Sequence, residues 1–197
     1  DLIVAFYVVI LIAVSHVHYS DGNLVAVGGA PLDCWDICGF TAVYRRSSNE
    51  SNIWKLHGNP IPPQSSFFRR LQAYTYQMHG YYVSLSGDGK GLAVGTIEGY
   101  SAMEVRSADL VTQVYKWNTS TKDWVTIGEK ISKPHYSYET ARSILPLRSI
   151  ALSDDALAIG SFYSVDVFDL TVIGNVSTWI SREVDLNSTD STRGLVG

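Results

Sequence analysis

The sequence predicts an all-β protein made of three similar units, each with four short antiparallel strands. The composition favours strands and turns, because the 197 residues include 12 Tyr, 5 Trp, 6 Phe and 16 Gly. A pattern of strands and turns occurs three times at intervals of roughly 65 residues. No stretch has convincing helical periodicity, and residues 113–117 alternate between polar and apolar side chains as a strand does.

Charge and composition exclude two classes of protein. Charged residues make up 17% of the chain and hydrophobic residues 46%, whereas a disordered chain needs high charge and low hydrophobicity. The 15 Lys and Arg residues are outnumbered by 19 Asp and Glu residues, and no five-residue basic cluster occurs. A nucleic-acid partner is therefore not expected.

The chain begins with an apolar run from Leu2 to Val14. A membrane-spanning helix needs about 20 apolar residues, so this run is too short to form one. A signal peptide would add a basic leader and a small-residue cleavage site, and the sequence shows neither. Because many of these residues are β-branched, we predict buried strands here rather than the remnant of a targeting segment. Attachment to a membrane would need an anchor outside this sequence.

One strand is nearly identical in the three units. Its copies are Leu24-Val-Ala-Val-Gly-Gly29, Leu92-Ala-Val-Gly-Thr96 and Leu157-Ala-Ile-Gly-Ser161. A strand and a turn rich in Asp, Gly or Ser precede each copy, in residues 14–22, 83–89 and 150–155. These turns predict antiparallel hairpins, and the small Ala and Gly residues allow close approach to a neighbouring backbone.

Two further strands complete each unit. The third strand ends in an apolar residue followed by an aromatic one, at Val43-Tyr44, Val114-Tyr115 and Val167-Phe168. The fourth contains Trp54, Trp124 or Trp179, and in two units a Gly lies four residues later, at Gly58 and Gly128. A four-stranded meander repeated about an axis is a β-propeller blade, in which aromatic residues of one blade pack on the next. We place the three blade-like repeats at 1–80, 81–145 and 146–197, the last with a polar tail.

The second and third strands of the first unit indicate a family. The segment Leu24-Val-Ala-Val-Gly-Gly-Ala-Pro31, followed by Gly39-Phe-Thr-Ala-Val-Tyr44, resembles the FG-GAP repeat of integrin-α-like β-propellers. The likeness covers residues 14 to 180 and extends to WD-repeat propellers. It implies a secreted or cell-surface propeller used for binding and adhesion. Since propellers typically have about four to eight blades, three imply a partial or open propeller. Additional blades outside this chain, or self-assembly, would complete it.

Calcium-binding members of this family carry loops of the type Asp-x-Asp-x-Asp-Gly. Here Gly87-Asp-Gly-Lys-Gly91 has one carboxylate next to a Lys, and Asp154-Asp155 has two adjacent carboxylates. Neither segment alone supplies the roughly six to eight oxygen ligands that calcium takes. A calcium site is therefore not expected, and we predict turn-forming Asp residues and no cofactor.

Four Asn-x-Ser/Thr sequons predict N-glycosylation in the secretory route, at Asn49, Asn118, Asn175 and Asn187. The first three each lie between the third strand and the Trp strand of their unit, in a polar hairpin that we expect to face solvent. The competing interpretation is that Asn and Ser favour turns for their own hydrogen bonding.

The two cysteines, Cys34 and Cys38, lie in the loop between the second and third strands of the first unit. We predict a disulfide between them if the protein is in an oxidising compartment. In a cytosolic protein they would be reduced thiols. A zinc site would need two more ligands at suitable spacing, and none lies nearby in the sequence.

Two connections between units are rich in aromatic and basic residues and are the candidate ligand-binding loops. The candidate residues are Phe67, Phe68, Arg69, Arg70, Tyr74 and Tyr76 in the first, and His135, Tyr136 and Tyr138 in the second. Tyr and Arg are enriched in interaction hot spots, and aromatic rings also stack on sugars. We therefore predict a protein or glycan ligand. The alternative is that these aromatic residues pack on the core.

Together these features predict a non-enzymatic binding or adhesion module. The sequence contains no Gly-x-Ser-x-Gly, phosphate-loop or His-Glu-x-x-His motif. One alternative is a carbohydrate-active propeller, either a lectin or a glycoside hydrolase. Its catalytic pair would come from four carboxylates that we place in loops, Glu98, Glu104, Asp109 and Glu139. Another alternative is a structural subunit of a larger assembly.

Overall fold

The computed structural model describes residues 12–18, 22–31, 37–47, 53–63, 75–100, 108–133, 149–160, 165–174 and 176–182. Within these ranges the chain forms β-strands and turns, and it forms no helix. Accordingly, none of the residues so described belongs to a helix that could cross a membrane. The prediction of an all-β protein is confirmed. The apolar run at the start of the chain lies outside these ranges up to position 11, and its last three residues belong to the first strand.

The strands follow one another along the chain with short turns and longer loops between them. Their bounds are β1 Ile12–His18, β2 Leu24–Pro31, β3 Ile37–Arg46, β4 Trp54–Leu56, β5 Thr75–Leu85, β6 Gly91–Tyr100, β7 Ala108–Asn118, β8 Asp123–Lys133, β9 Ser149–Leu152, β10 Ala156–Gly160, β11 Val165–Ile173 and β12 Val176–Arg182.

The strands form three antiparallel meanders of four strands each. The first meander is β1–β4, the second is β5–β8 and the third is β9–β12. The predicted four-stranded antiparallel units are therefore confirmed, while their arrangement as propeller blades remains a prediction. One pairing was not predicted: β3 runs parallel to β5 over Ile37–Gly39 and Gln77–His79, which joins the first two meanders into one hydrogen-bonded sheet.

The strand register is the same in the three meanders. In each meander an apolar residue near the start of the second strand lies opposite the aromatic residue of the third strand, in the pairs Val25–Tyr44, Leu92–Tyr115 and Leu157–Phe168. Alignment of Leu24 with Leu92 is therefore wrong by one residue, and Val25 is the structural equivalent. The sequence alignment matched the Leu that begins each copy, whereas the structure aligns Val25-Ala-Val-Gly28 with Leu92-Ala-Val-Gly95.

Two hydrophobic clusters lie between successive meanders, one on each face of the second. The first cluster joins Leu24, Ala26, Val43 and Ile61 of the first meander to Val83, Leu85, Leu92, Val94, Tyr115 and Trp124 of the second. The second cluster joins Ala93, Leu110 and Val114 to Leu152, Leu157, Ile159 and Phe168 of the third meander. Because side chains alternate between the faces of a strand, Leu92 and Val94 face the first meander and Ala93 faces the third.

The first two meanders approach closely at glycines. A Cβ atom on Gly28 would collide with the carbonyl oxygen of Gly80, and one on Gly39, whose φ is 100°, would collide with the carbonyl oxygen of His79. Only Gly permits this contact of backbone with backbone. The close approach expected from the small residues of the second strand is confirmed at Gly28.

Candidate functional site

The connections between strands lie at two opposite ends of the meanders. Since neighbouring strands are antiparallel, the connections β1–β2, β3–β4 and their equivalents share one end, which we call the turn end. The connections that follow β2, β4, β6, β8 and β10 share the other end, which we call the loop end. The parallel pairing of β3 and β5 places the starts of both strands at the loop end. At the turn end, the Asp88 N–H donates to Oδ1 of Asp154 at 3.3 Å, which links the turns of the second and third meanders.

Both candidate ligand-binding loops connect strands at the loop end. The first connects β4 to β5, and the second connects β8 to β9. Eight of the nine candidate residues lie outside the described ranges: Phe67, Phe68, Arg69, Arg70, Tyr74, His135, Tyr136 and Tyr138. The ninth, Tyr76, is the second residue of β5 and lies opposite Gly99 of β6. The topology thus assigns the two loops to one end of the molecule, and their role in binding stays a prediction.

Three of the four sequons belong to hairpins at the turn end. Asn49 lies between β3 and β4 and Asn175 between β11 and β12, and both, like Asn187, are outside the described residues. Asn118 is the last residue of β7, and its Oδ1 accepts hydrogen bonds from the N–H groups of Ser120 at 2.9 Å and Thr121 at 3.3 Å. Its Nδ2, the atom that a glycan would modify, donates no hydrogen bond to any residue that the structure describes.

The predicted disulfide falls partly outside the described residues. Cys34 is not among them, whereas the backbone of Cys38 lies in β3, where it pairs in parallel with Met78 of β5. Cys38 is therefore in a strand and not in the loop where the sequence placed it. The pairing of the two cysteines stays a prediction.

Asp88, one of the turn carboxylates that we considered for calcium, forms hydrogen bonds and an ion pair within its own turn. Asp88 accepts hydrogen bonds from the Ser86 hydroxyl at 2.7 Å and the Lys90 N–H at 2.8 Å, and the Lys90 ammonium lies 3.4 Å away. Partial burial raises the pKa of Asp88, but these hydrogen bonds and the Lys90 charge outweigh it, so the pKa lies below its usual value. Among the residues described, no group of three or more His, Cys, Asp or Glu is arranged to hold a metal ion.

A small cleft lies between the second and third meanders at the turn end. Its volume is about 90 Å³, and Lys90, Lys116, Ser153, Asp154 and Trp179 are among its lining residues. Pockets that enclose a drug-sized ligand measure roughly 300–1,000 Å³, so this cleft is too small for a sugar or peptide.

The first and second meanders are joined by a contact between Trp124 of β8 and the residues that follow β4. The indole N–H of Trp124 in β8 donates a hydrogen bond of 2.8 Å to the backbone carbonyl of His57, just after β4. The next residue, Gly58, has a φ of 86°, and a Cβ atom there would lie 2.9 Å from atoms of Trp117 and Trp124. Asn59 then donates two hydrogen bonds to the carboxylate of Asp123, at 3.0 and 2.8 Å, and thereby lowers the pKa of that carboxyl.

The second and third meanders repeat this contact. The indole N–H of Trp179 in β12 donates to the carbonyl of Ile127 at 3.3 Å, and the next residue, Gly128, has a φ of 69°. A Cβ atom on Gly128 would lie 2.7 Å from Cδ1 of Trp179. The sequence showed a Trp followed four residues later by a Gly, but it did not show that each Gly receives the Trp of the next meander. We call this arrangement the Trp–Gly contact.

Two buried histidines belong to the contact between the first and second meanders. The His57 ring stacks on Trp117 with centroids 3.7 Å apart, and burial, with a smaller contribution from Arg45, lowers its pKa to about 4. Nδ1 of His79 lies 3.1 Å from Oγ1 of Thr96, and burial lowers the pKa of His79 to about 4. Both rings are therefore neutral at pH 7 and stabilise the interface in that form.

Two of the carboxylates considered for hydrolysis lie in strands and not in loops. Glu98 is in β6 and Asp109 is in β7, where they are directly opposite each other near the loop end. The loop placement of these two residues is therefore wrong. Glu104 and Glu139 lie outside the described residues.

Comparison with models of protein families and with curated proteins gives no match to this chain.

Proposed function

We propose that the chain is a non-enzymatic, extracellular binding module, in which the three meanders stack as consecutive blades of an FG-GAP-like β-propeller. The observation that carries the proposal is the Trp–Gly contact, which joins equivalent residues of the first and second meanders and of the second and third. Repeated units that bury a continuous core against their neighbours are typical of propellers and other repeat proteins.

The separation of the two ends supports a binding role for the loop end. The candidate loops connect β4 to β5 and β8 to β9 at the loop end, whereas the hairpins with Asn49, Asn118 and Asn175 lie at the turn end. Glycans attached at the turn end would leave the loop end free for a ligand. Arg69, Arg70 and the neighbouring aromatic residues suit a protein surface or an acidic or ring-stacking glycan.

The test uses cells as the source of both possible ligands. Fluorescently labelled chain is added to cultured cells, and binding is compared before and after the cell surface is stripped with trypsin or with glycosidases. The loop-end variant Phe67→Ala/Phe68→Ala/Arg69→Ala/Arg70→Ala should lose binding at least tenfold. The control Lys90→Ala/Lys116→Ala removes the same positive charge from the turn end and should bind as the parent chain does. Equal binding by both variants, or no binding by the parent, would contradict the proposal.

A second candidate function is glycoside hydrolysis, favoured by the register that sets Glu98 opposite Asp109. Retaining enzymes hold two carboxyl groups about 5 Å apart. Directly opposed residues of antiparallel strands have Cβ atoms about 4.5–5.5 Å apart, which puts two carboxylates on the same face as neighbours. Hydrolysis of fluorogenic glycosides by the parent chain, abolished in both Glu98→Gln and Asp109→Asn, would favour this function over the binding module.

A further inference from the structure

The face of the first meander that points away from the second, which we call the open face, has apolar residues at the same positions as the covered faces of the second and third meanders. The positions that face the preceding meander are Leu92 and Val94 in the second and Leu157 and Ile159 in the third, each at most 2% exposed. Their equivalents in the first meander, Val25 and Val27, have the same apolar character, but they are partly exposed. No described residue covers this face of the first meander.

Trp54 is the equivalent of the two tryptophans that make the Trp–Gly contact. Each Trp lies opposite the residue two places after the aromatic residue of the third strand, in the pairs Trp54–Arg46, Trp124–Trp117 and Trp179–Leu170. Trp124 and Trp179 both donate their indole N–H to a preceding meander. Trp54 is half-buried and donates to no residue that the structure describes. On the same face of the first meander, Leu56 is 52% exposed and Phe40, at the other end of β3, is 40% exposed.

The opposite end of the stack lacks the acceptor for such a contact. Register places Arg182 where the second meander has Ile127, and in the sequence a Glu, at position 183, follows Arg182 where a Gly follows Ile127. The Arg182 guanidinium forms two hydrogen bonds with Asp169 on the outer face of the third meander. A Glu has a Cβ atom that disfavours the left-handed backbone of Gly128. The outer face of the third meander therefore does not accept a Trp in this way.

We infer that the open face of the first meander binds a further four-stranded antiparallel β-sheet, whose outer strand ends in a backbone carbonyl followed by a left-handed Gly that receives Trp54. A second copy of this chain does not fit as the partner, because Gly58 and Gly128 are occupied by Trp124 and Trp179. Among the described residues, the Trp–Gly contact is therefore left open only at Trp54 of the first meander. The inference rests on the contacts between meanders and is independent of the proposed ligand at the loop end.

The experiment builds the missing acceptor on the third meander. An acceptor chain carries Arg182→Ile and Glu183→Gly, which reproduce the Ile127-Gly128 pair, and Trp54→Ala, which prevents its own association. Its association with the parent chain is measured by sedimentation velocity. We expect a one-to-one complex with the parent chain and at least tenfold weaker binding to the Trp54→Ala chain. The Trp54→Phe chain, which keeps a ring and loses the donor, should bind with intermediate affinity.

Three outcomes would overturn the inference: equal binding of the parent and Trp54→Ala chains, no binding by either, or self-association of the parent chain alone that depends on Trp54. A second measurement needs no engineered surface. Hydroxyl-radical footprinting of the parent chain should oxidise the half-buried Trp54 several-fold faster than Trp124, which is 8% exposed. Equal oxidation rates would show that another part of the chain already covers Trp54, which also overturns the inference.

Discussion

The indole N–H of Trp124 lies 2.8 Å from the backbone carbonyl oxygen of His57, one meander earlier in the chain. Trp179 makes the same contact with Ile127 one meander later, at 3.3 Å. Each carbonyl is followed by a Gly in the left-handed conformation, which leaves space for the indole ring. The interface between the first and second meanders and the interface between the second and third therefore contain the same hydrogen bond next to a left-handed Gly.

Replacing Gly128 of the Trp–Gly contact by Ala should lower the stability of the protein. Gly128→Ala adds a Cβ atom 2.7 Å from Trp179 and forces a non-glycine residue to a φ of 69°. We expect a loss of about 2–4 kcal/mol in the free energy of unfolding, the sum of left-handed strain and overpacking. The control is Gly22→Ala, because Gly22 has a φ of 72° and no atom within 4 Å of the added Cβ. It should lose only about 1–2 kcal/mol, from strain. Equal losses in urea titrations would argue against the packing role of Gly128.

The hydrogen bond of Trp124 should contribute to stability separately from its ring. Trp124→Phe keeps an aromatic ring and leaves the His57 carbonyl without its donor, which should cost about 1–3 kcal/mol in the free energy of unfolding. The matched control is Trp54→Phe, whose indole donates to no described residue, and which should cost less than about 0.5 kcal/mol. The two values come from urea titration. A larger loss for the Trp54 variant would contradict this assignment.

Stability should fall as the pH is lowered from about 6.5 to about 4. In this window the unfolded chain protonates His79 at its ordinary pKa of 6.5, whereas the folded chain, with a pKa of about 4, does not. The unfolded state then binds more protons, so His79 costs up to about 3 kcal/mol at the acidic end. His57 acts in the same direction. The lowered pKa values of Asp88 and Asp123 reduce stability only when the pH falls below the ordinary Asp pKa of 3.8.

Replacing His79 isolates its share of this pH dependence. His79→Asn keeps a polar atom near Thr96 and removes the titrating ring, so the decrease in unfolding free energy between pH 6.5 and 4 should become smaller. Urea titrations at several pH values measure the slope. An unchanged slope would show that His79 does not titrate as its burial requires.

Asn118 should carry a glycan when the chain passes through the secretory route of eukaryotic cells. Its Oδ1 is fixed by the N–H groups of Ser120 and Thr121, and its Nδ2 is free of described partners. Asn118→Gln and Ser120→Ala should each remove one glycan, seen as the same decrease in mass before glycosidase treatment. Identical masses of the parent and both variants would show that this sequon is unused.

The sequence predicted the strands of each unit because their signals are local. Alternation, turn residues and the order of Leu-Ala-Val-Gly, Val-Tyr and Trp recur at similar positions in all three units. The one-residue error at Leu24 came from matching the Leu that begins each copy, and the pairing of Val25 with Tyr44 fixes the register. Local patterns were thus sufficient to predict the strands, whereas the alignment of the three units required the pairing between strands.

The contacts between meanders could not be predicted in the same way. The partner of Gly58 is Trp124, far along the chain, and nothing in either short segment specifies the other. The parallel pairing of Cys38 with Met78 also depends on how two meanders meet. The one available signal was that Glu183 stands where two units have Gly, which becomes meaningful only once the role of that Gly is known.

The most direct test of the stacking of the meanders is hydrogen exchange of the Trp indole N–H groups in the chain labelled with ¹⁵N-Trp. The five indole resonances can be assigned with single Trp→Phe variants. We expect slow exchange at Trp124 and Trp179, whose N–H groups donate hydrogen bonds to the preceding meander, and fast exchange at Trp54. Fast exchange at Trp124 and Trp179, at rates equal to that of Trp54, would contradict the stacking of the meanders.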